Sequence, residues 1–299
     1  MKYTYLIAGI CLTSDIFYPE LKQSNYSPEV FLSYGNVPDH LEDNHVDFPF
    51  IEANTNQYLL KLKGIGKILL ENGTSIILEK EKKANNLDLE RYVLTNILGI
   101  LSYQRNWIPM HGGVFEKNGK GILITGLSGN GKSTLLAALS QKGFKIISDD
   151  ITNVQIIDKK AFAQPCFPNL LLWKKTAELL KIETKTENKL RSDAEKYIIP
   201  LTEDQFYNKP IELTHIYVLQ NKNVTEEKIE LKGLGKIESL RKNTYRPWFV
   251  KTINKQKEHF IQLGQLANNI NLEVFSNDHK IGIERSVTNF IQKIDQDVK

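Results

Sequence analysis

The chain carries at positions 126–133 the stretch Gly-Leu-Ser-Gly-Asn-Gly-Lys-Ser, a complete match to the pattern G-x-x-x-x-G-K-[ST]. The glycines let successive backbone N–H groups turn inward around phosphate oxygens. Lys132 supplies a positive charge for the β- and γ-phosphates, and Ser133 supplies a hydroxyl for Mg²⁺. The stretch therefore predicts a nucleotide-phosphate site formed by Gly126, Leu127, Ser128, Gly129, Asn130, Gly131, Lys132, Ser133 and Thr134.

The flanking sequence favours this prediction over the alternative, a glycine-rich turn with a chance lysine. An apolar run at 122–125 precedes the stretch and predicts a strand. A helical run from Lys132 to about Lys142 follows it, with Gly143 as the C-terminal stop. A helix that begins at a phosphate site adds the positive end of its dipole to that site.

A second signal lies one helix further along the chain. The apolar residues 144–147 predict a short strand that ends in Ser148, Asp149 and Asp150. A strand ending in an acid delivers a carboxylate to the metal in phosphate-loop proteins. With two carboxylates, one can hold Mg²⁺ while the other accepts a proton from an attacking hydroxyl. The alternative is a solvated turn at the end of a strand.

The residues before the loop predict a hairpin. Apolar runs at 108–116 and 121–125 flank Asn118-Gly119, and Asn-Gly is the strongest short hairpin signal because both turn residues need positive φ. The strand that leads into the loop is therefore expected to pair antiparallel with the segment that carries His111, which makes the sheet mixed. From spacing alone, His111 is more typical of a structural histidine than of a site residue.

The remaining elements are predicted from apolar periodicity and turn residues. In the first half they are strands at 3–10, 46–51, 58–62, 65–70 and 74–79, a loop at 19–45 and a helix at 87–101. In the second half they are a hairpin of 152–157 and 161–164, a helix at 171–180, a polar loop or lid at 181–195, a strand at 213–219, a helix at 251–267, a strand at 272–275 and a helix at 287–294. This organisation predicts a β-rich domain at 1–105, with its connecting helix, and a phosphate-loop domain at 106–299.

Composition excludes several classes of protein. The 299 residues are 41% hydrophobic with net charge +4, unlike a disordered chain, and they contain no run like the roughly 18 apolar residues of a membrane span. The 39 lysines and arginines are scattered among 35 acids, whereas a nucleic-acid binder has a clustered basic face. Cys11 and Cys166 provide no disulfide framework, and the apolar run 5–12 favours a buried strand over a signal segment. We therefore expect a cytoplasmic protein that binds neither nucleic acid nor membranes and that can form a homo-oligomer.

Four elements in one order resemble the catalytic domain of HPr kinase/phosphorylase. They are Met110-His111-Gly112, the stretch 123–133, Gly143-Phe144 and Ile147-Ser148-Asp149-Asp150. The chain looks more like the shorter HPr-kinase-related serine kinases, some of which accompany peptide-maturation systems such as those of lasso peptides. The resemblance is specific over residues 108–157 and extends more weakly to about residue 220, whereas residues 1–100 do not resemble the N-terminal domain of HPr kinase.

The resemblance implies an α/β P-loop kinase core with a mixed, partly antiparallel sheet, as in HPr kinase and phosphoenolpyruvate carboxykinase, preceded by a smaller β-rich domain. It also implies an ATP- and Mg²⁺-dependent kinase that phosphorylates a serine of a protein or peptide. In such a kinase Lys132 and Ser133 would hold phosphate and Mg²⁺, and His111 would lie near the transferred phosphate. Asp149 would be the catalytic base, and Asp150 would support it and bind the metal. The family's later loop, with its own glutamate and arginine, has no recognisable counterpart here, which leaves a second metal ligand unassigned and reverse phosphorolysis open.

Two other functions fit the same residues. One is phosphotransfer to a small molecule, or a reaction like that of phosphoenolpyruvate carboxykinase, which has a similar loop and Asp-Asp strand on a much longer chain. The other is a non-catalytic regulator that senses ATP by ordering residues 181–195. In a kinase, the β-rich first half is the region expected to choose the substrate, so a folded chain without residues 1–100 should bind ATP but not phosphorylate its substrate.

Overall fold

In the computed structural model, the described residues are 2–19, 21–46, 48–191, 194–221, 231–277 and 279–298. Within these ranges the strands form two large sheets and one small three-stranded sheet. Both large sheets contain parallel and antiparallel pairs. The mixed sheet expected for the second half is therefore confirmed.

The first large sheet comes from the first 80 residues. Its strands are β1 (Tyr3–Ile7), β2 (Ile10–Ser14), β3 (Val30–Tyr34), β4 (Ile51–Ala53), β5 (Gln57–Leu62), β6 (Gly66–Glu71) and β7 (Ser75–Lys80). They pair in the order β1-β2-β3-β7-β6-β5-β4. The strands predicted at 58–62, 65–70 and 74–79 are confirmed as β5, β6 and β7, which pair antiparallel in sequence order.

Three predictions for this region are wrong. The run 3–10 is not one strand, because the chain turns at Ala8 and Gly9, with φ of 51° and 79°, so that β1 and β2 form a hairpin. The turn could not be predicted at Ala8, because residues other than glycine, asparagine and aspartate rarely take the left-handed conformation. The predicted loop 19–45 contains β3, which lies parallel between β2 and β7. The strand predicted at 46–51 is displaced to β4, which begins at Ile51, while residue 47 lies outside the described ranges.

The connecting helix is confirmed, with an irregularity in its middle. It consists of α1 (Asn86–Tyr92), a π-helical turn at Val93–Ile97 and α2 (Leu98–Gln104). The Asn85 side chain caps its start by accepting a hydrogen bond of 3.0 Å from the Leu87 N–H. The buried face of the helix packs in one hydrophobic cluster with the first sheet, and that cluster also contains Phe167, Phe249, Val250 and Ile253 from the second half of the chain.

The second half alternates strands and helices. Its elements are β8 (Ile108–Lys117), β9 (Lys120–Gly126), α3 (Lys132–Gln141), β10 (Ile146–Ser148), β11 (Ile151–Ile157), β12 (Lys160–Ala163), β13 (Asn169–Trp173), α4 (Lys174–Leu179), β14 (Lys189–Arg191), β15 (Ala194–Pro200), β16 (Ile211–Asn221), α5 (Gly233–Lys242), α6 (Phe249–Thr252), α7 (Gln256–Asn269), β17 (Asn271–Asn277) and α8 (Ile283–Asp297). None of the helices in the described ranges is long and apolar enough to cross a bilayer.

The second sheet places the strand before the glycine-rich loop at its centre. β9 pairs antiparallel with β8, as the Asn118-Gly119 turn predicted, and parallel with β16 on its other side. β8 also pairs with β11, β11 with β12 and β12 with β16, so these strands close into a ring. One face of β9 and β16 packs in a cluster with α3 and α8, and the other face packs with α5 and α7. This burial on both faces is typical of the parallel strands of α/β proteins.

The small third sheet corrects two predictions. The apolar run in the helix predicted at 171–180 belongs to β13, which pairs with β15, and only α4 is helical. The polar loop predicted at 181–195 contains a 3₁₀ turn at Thr186–Asn188, β14 and the start of β15, while residues 192–193 lie outside the described ranges.

The helix predicted at 251–267 is interrupted between α6 and α7, where Asn254 has a φ of 55°.

The hairpin beside the loop depends on a glycine, and this gives the first testable prediction. A Cβ atom on Gly112 would lie 2.2 Å from the backbone oxygen of Ile124, which is too close for any carbon atom. We expect Gly112→Ala to lower the free energy of unfolding by about 3 kcal/mol, because the strands must move apart. Denaturant unfolding followed by circular dichroism measures this.

A matched control is the same substitution at Gly264 on α7. There the nearest atom to an added Cβ is the Ile237 Cδ1, at 3.9 Å. Since alanine favours a helix over glycine, Gly264→Ala should raise the free energy of unfolding by about 0.5–1 kcal/mol. A Gly112→Ala protein as stable as the wild type would show that β8 and β9 do not approach so closely.

Candidate active site

The glycine-rich loop 126–133 joins the end of β9 to the start of α3 and is anchored to β16. Gly126 has a φ of 134°, and a Cβ there would lie 2.5 Å from the backbone oxygen of Leu219. The Asn130 side-chain amide donates a hydrogen bond of 2.9 Å to the same Leu219 oxygen. Gly131, with a φ of 89°, is the residue before the first turn of α3. The predicted strand–loop–helix arrangement is therefore present, with glycine where the backbone requires it.

Lys132 folds back over this loop. Its ammonium group donates hydrogen bonds of 2.8 Å to the Gly126 carbonyl and 3.1 Å to the Leu127 carbonyl. Burial lowers the pKa of Lys132, and the nearby Lys196 ammonium acts in the same direction, while the carboxylates of Asp149 and Asp150 oppose them. The loop thus holds a partly buried cation close to two carboxylates.

Asp149 is buried and its two carboxylate oxygens have separate partners. The Leu171 N–H donates a hydrogen bond of 2.8 Å to Oδ2. Oδ1 accepts one of 2.8 Å from the Asp150 N–H and one of 3.2 Å from the Ser133 hydroxyl. Burial raises the pKa of Asp149, with repulsion from Asp150 as the second cause. Asp149 is therefore a fixed carboxylate that faces the first turn of α3 through Ser133.

Asp150 lies in the cleft, and its backbone is in the left-handed region with a φ of 67°. Few side chains other than asparagine and aspartate take this conformation readily, and such residues are frequent at functional sites. The carboxylate oxygen Oδ1 is 3.7 Å from the Lys196 ammonium. The Asp150 carbonyl accepts hydrogen bonds of 3.1 Å each from the Gly112 N–H and from the His111 ring.

His111 is held so that one ring nitrogen is fixed. Its Nδ1 donates to the Asp150 carbonyl, because a carbonyl oxygen can only accept. In the neutral ring the lone pair is then on Nε2. Burial lowers the pKa of His111, and the positive charge of Lys132 lowers it further. Neutral imidazole is therefore the form favoured in the folded protein.

The second prediction concerns the titration of His111 in the metal-free protein. We expect its imidazole to titrate below the ordinary value of about 6.5, and Lys132→Met to raise that midpoint, because one of the lowering charges is removed. As the pH falls from about 6.5 towards the lowered pKa, His111 takes up a proton in the unfolded chain but not in the folded protein. The free energy of unfolding therefore falls over that interval.

Ring nitrogen NMR shifts, assigned by comparison with His111→Gln, measure the midpoint. A midpoint at or above the ordinary histidine value would contradict the burial of the ring. A midpoint that Lys132→Met leaves unchanged would contradict the proximity of the two side chains.

The predicted residues gather around one cleft of about 200 Å³. The lining residues that were predicted are His111, Ser128, Gly129, Gly131, Lys132, Ser133, Thr134 and Asp150. Gly126, Leu127, Asn130 and Asp149 are not among the lining residues: Gly126 and Asn130 anchor the loop, Leu127 is exposed and Asp149 lies behind Ser133.

Four lining residues were not predicted: Leu171, Trp173, Thr176 and Lys196. All come from the region 171–196, whose strands were predicted as a helix and a loop. Lys196 is the only one of them that carries a charge. Residues 194–200 (Ala-Glu-Lys-Tyr-Ile-Ile-Pro) lack the strict alternation that predicts a half-buried strand. The signal there is the β-favouring run Tyr197-Ile198-Ile199, which does not indicate that Lys196 meets the cleft.

Comparison with known proteins adds a sequence relationship. No family model matches the chain. A stretch of 73 residues, 24% of this chain, is 41% identical to the HPr kinase/phosphorylase of Mycoplasmopsis pulmonis (strain UAB CTIP) and spans 24% of the length of that protein. A solved structure, the Hpr(Ser) kinase/phosphatase from Coxiella burnetii, aligns over 62% of this chain and 98% of its own length, at 15% identity and a TM-score of 0.35. The resemblance to HPr kinase/phosphorylase predicted from the motifs is thus confirmed by sequence over about a quarter of the chain.

Proposed function

We propose that this protein is an ATP-dependent serine kinase that transfers the γ-phosphate of Mg-ATP to a seryl hydroxyl of a protein or peptide. The observation that carries the proposal is the convergence of Lys132, Ser133, Asp149 and Asp150 around one cleft at the start of α3. The 41% identity to an HPr kinase/phosphorylase over 73 residues supports phosphotransfer as the reaction class.

The residues at the start of α3 fit a magnesium–nucleotide complex. The Ser133 hydroxyl and the Asp149 carboxylate are 3.2 Å apart. Mg²⁺ in nucleotide sites is usually held by a loop hydroxyl, one or two carboxylates and the phosphates themselves. When bound, Mg²⁺ neutralises charge on the phosphate oxygens. Lys132 and the loop N–H groups would hold the same oxygens, and the N-terminal end of α3 would add to their field.

Asp150 is the carboxylate that we assign to the acceptor hydroxyl. Both oxygens of Asp149 already accept hydrogen bonds, whereas Asp150 lines the cleft. We therefore place the metal-side role on Asp149 and the base on Asp150, the opposite of the division implied by the resemblance. The seryl oxygen forms a bond to the γ-phosphorus, and the bond to the β,γ-bridging oxygen breaks with its electron pair staying on ADP. The proton of the hydroxyl passes to the Asp150 carboxylate.

His111 would position Asp150 in this scheme. Its Nδ1–H holds the Asp150 carbonyl, so the left-handed backbone of Asp150 is fixed from the side of β8. Burial and the charge of Lys132 lower the pKa of His111 and favour its neutral form, which adds no positive charge beside Lys132. We assign substrate choice to the β-rich domain 1–105 and the nucleotide chemistry to residues 106–299.

The experiment that tests the proposal is label transfer from γ-labelled ATP. Purified protein and label are added to a lysate of the source organism, and labelled bands are identified by mass spectrometry. The Lys132→Met variant is the matched negative sample. A protein or peptide that acquires phosphoserine only with the wild type would support the proposal.

The same experiment separates the other two functions. ADP formation that depends on low-molecular-weight lysate components, with no labelled macromolecule, would overturn the proposal in favour of a small-molecule kinase. ATP binding with no ADP formed under any condition, unchanged by Asp150→Asn, would favour an ATP-sensing regulator.

A further inference from the structure

Lys196 lies in the cleft but belongs to a different sheet from the glycine-rich loop. It is on β15, the middle strand of the three-stranded sheet β13-β15-β14. Its side chain is 17% exposed, and it lines the cleft together with Lys132, Ser133 and His111. The small sheet therefore brings a second lysine to a site whose first lysine comes from the loop.

The position of Lys196 is fixed by the site itself. The Leu171 N–H on β13 donates to the Asp149 carboxylate, which ties the small sheet to the acidic pair. Along the same strand pair, Lys196 is directly opposite Trp173, which is also a cleft residue. Directly opposite residues of an antiparallel pair point to the same face of a sheet. Lys196 thus faces the cleft because β15 pairs with the strand that holds Asp149.

The outer strand of the small sheet is also held from the first half of the chain. Arg91, in the last turn of α1, donates hydrogen bonds to the backbone oxygens of Glu187 and Lys189. With one edge tied to Asp149 and the other to α1, the sheet is a fixed support for Lys196. Backbone contacts of this kind favour a positioned side chain over one that swings freely in solvent.

The charges around Lys196 favour an anionic ligand. Its carboxylate neighbour, Asp150, is 3.7 Å away, which is longer than a hydrogen bond. The Lys196 side chain as a whole is mostly buried, and a cation held in a partly buried cleft is stabilised by a compensating negative charge. The positive charge of Lys196 also lowers the pKa of Lys132 and of His111, after burial as the main cause. Lys132 and Lys196 line the same cleft, and a bound polyanion such as a triphosphate would offer charge-assisted hydrogen bonds to both.

We propose that Lys196 binds the γ-phosphoryl group of ATP and, together with Lys132, holds it for transfer. This inference rests on the proposed function. Its specific content is the γ position: Lys196 is beside Asp150, which is assigned to the acceptor hydroxyl, and that hydroxyl attacks the γ-phosphorus. A cation there stabilises the charge on the transferring group, as the cationic clamps of other phosphotransferases do.

The test compares binding of ADP with binding of a non-hydrolysable ATP analogue, by calorimetry in the presence of Mg²⁺. We expect Lys196→Gln to weaken the ATP analogue about 10- to 100-fold, the usual effect of one charge-assisted hydrogen bond, and to change ADP binding less than about 3-fold. We expect Lys196→Arg to recover most of the affinity. The control is Lys189→Gln on the adjacent strand, a lysine paired with Glu195 that does not line the cleft.

Each outcome decides a different point. Loss of ATP-analogue affinity with ADP binding retained would support the inference. Equal losses of affinity for both nucleotides would show that Lys196 only supports the cleft through Asp150. Unchanged affinity for both would show that Lys196 does not touch the nucleotide. Either result would overturn the inference and leave the proposed function standing. Failure of the wild type to bind either nucleotide would overturn the proposed function and this inference with it.

Discussion

Replacement of Lys132 by methionine is expected to lower kcat/KM for ATP by at least about 100-fold, the size of effect seen when one hydrogen-bond donor to the charge of the transition state is lost. The lysine holds its ammonium group against the Gly126 and Leu127 carbonyls, at the edge of the cleft that the phosphates would occupy. Methionine keeps the length and the apolar stem of the side chain but supplies neither charge nor donor. Steady-state ADP release at saturating acceptor measures the effect.

The matched control for this prediction is Lys142→Met. Lys142 is the exposed residue that follows the last turn of α3, at the opposite end of the helix from the loop, and it does not line the cleft. Its replacement is therefore the same change of side chain outside the site. Thermal unfolding of both variants reports whether the loop still folds. A Lys132→Met protein that turns over within a factor of about three of the wild type, with a normal unfolding midpoint, would remove Lys132 from the chemistry.

The parts of the site that the sequence predicts are those specified by neighbouring residues. Strand, glycine-rich loop and helix follow one another within about 20 residues, so local propensity and turn chemistry are enough to place Lys132 and Ser133. The antiparallel partner of β9 is also local, because Asn118-Gly119 closes the hairpin. The Asp149-Asp150 pair required only that the strand before it be recognised.

The parts that the sequence did not predict depend on pairing between distant residues. Lys196 reaches the cleft because β15 pairs with β13, across a segment that was interpreted as a helix and a loop. A short apolar run fits a buried strand and a buried helix equally well, and only the partner strand decides between them. The position of Lys196 in the cleft could therefore not be predicted from the residues around it in the sequence.

The first half of the chain shows the same limit. The hydrophobic cluster under the first sheet includes Phe249 and Val250. In addition, the buried Asn153 side chain donates a hydrogen bond of 3.0 Å to the Ala8 carbonyl. Removing residues 1–100 would expose this apolar surface and leave buried polar groups unsatisfied, so a truncated chain is a poor test of substrate choice. Point substitutions in the full chain are the appropriate experiment.

Asp150→Asn is expected to lower kcat about 10²- to 10⁴-fold while Mg-ATP affinity stays within a few-fold, the pattern of a lost general base. Asparagine has the shape of aspartate and tolerates the left-handed backbone that this position requires, at a φ of 67°. The carbonyl that accepts hydrogen bonds from Gly112 and His111 is also unchanged. The substitution thus removes the proton acceptor and leaves the fold in place. Single-turnover transfer and nucleotide binding, measured separately, give the two numbers.

Asp149→Asn is the comparison that makes this prediction specific. Asp149 uses one oxygen for the Leu171 N–H and the other for Ser133 and the Asp150 N–H, and an amide can satisfy only one of these sides. Because Ser133 is the hydroxyl assigned to Mg²⁺, the Asp149→Asn protein should bind ATP less tightly and need more Mg²⁺ to reach half-maximal rate. Asp150→Asn should leave that Mg²⁺ requirement unchanged. The contact between Asp149 and Ser133 is the reason for expecting the Mg²⁺ effect at Asp149 and not at Asp150. In the reverse pattern, Asp150→Asn would raise the Mg²⁺ requirement and Asp149→Asn would lower only kcat. That result would make Asp149 the base and Asp150 the metal-side carboxylate.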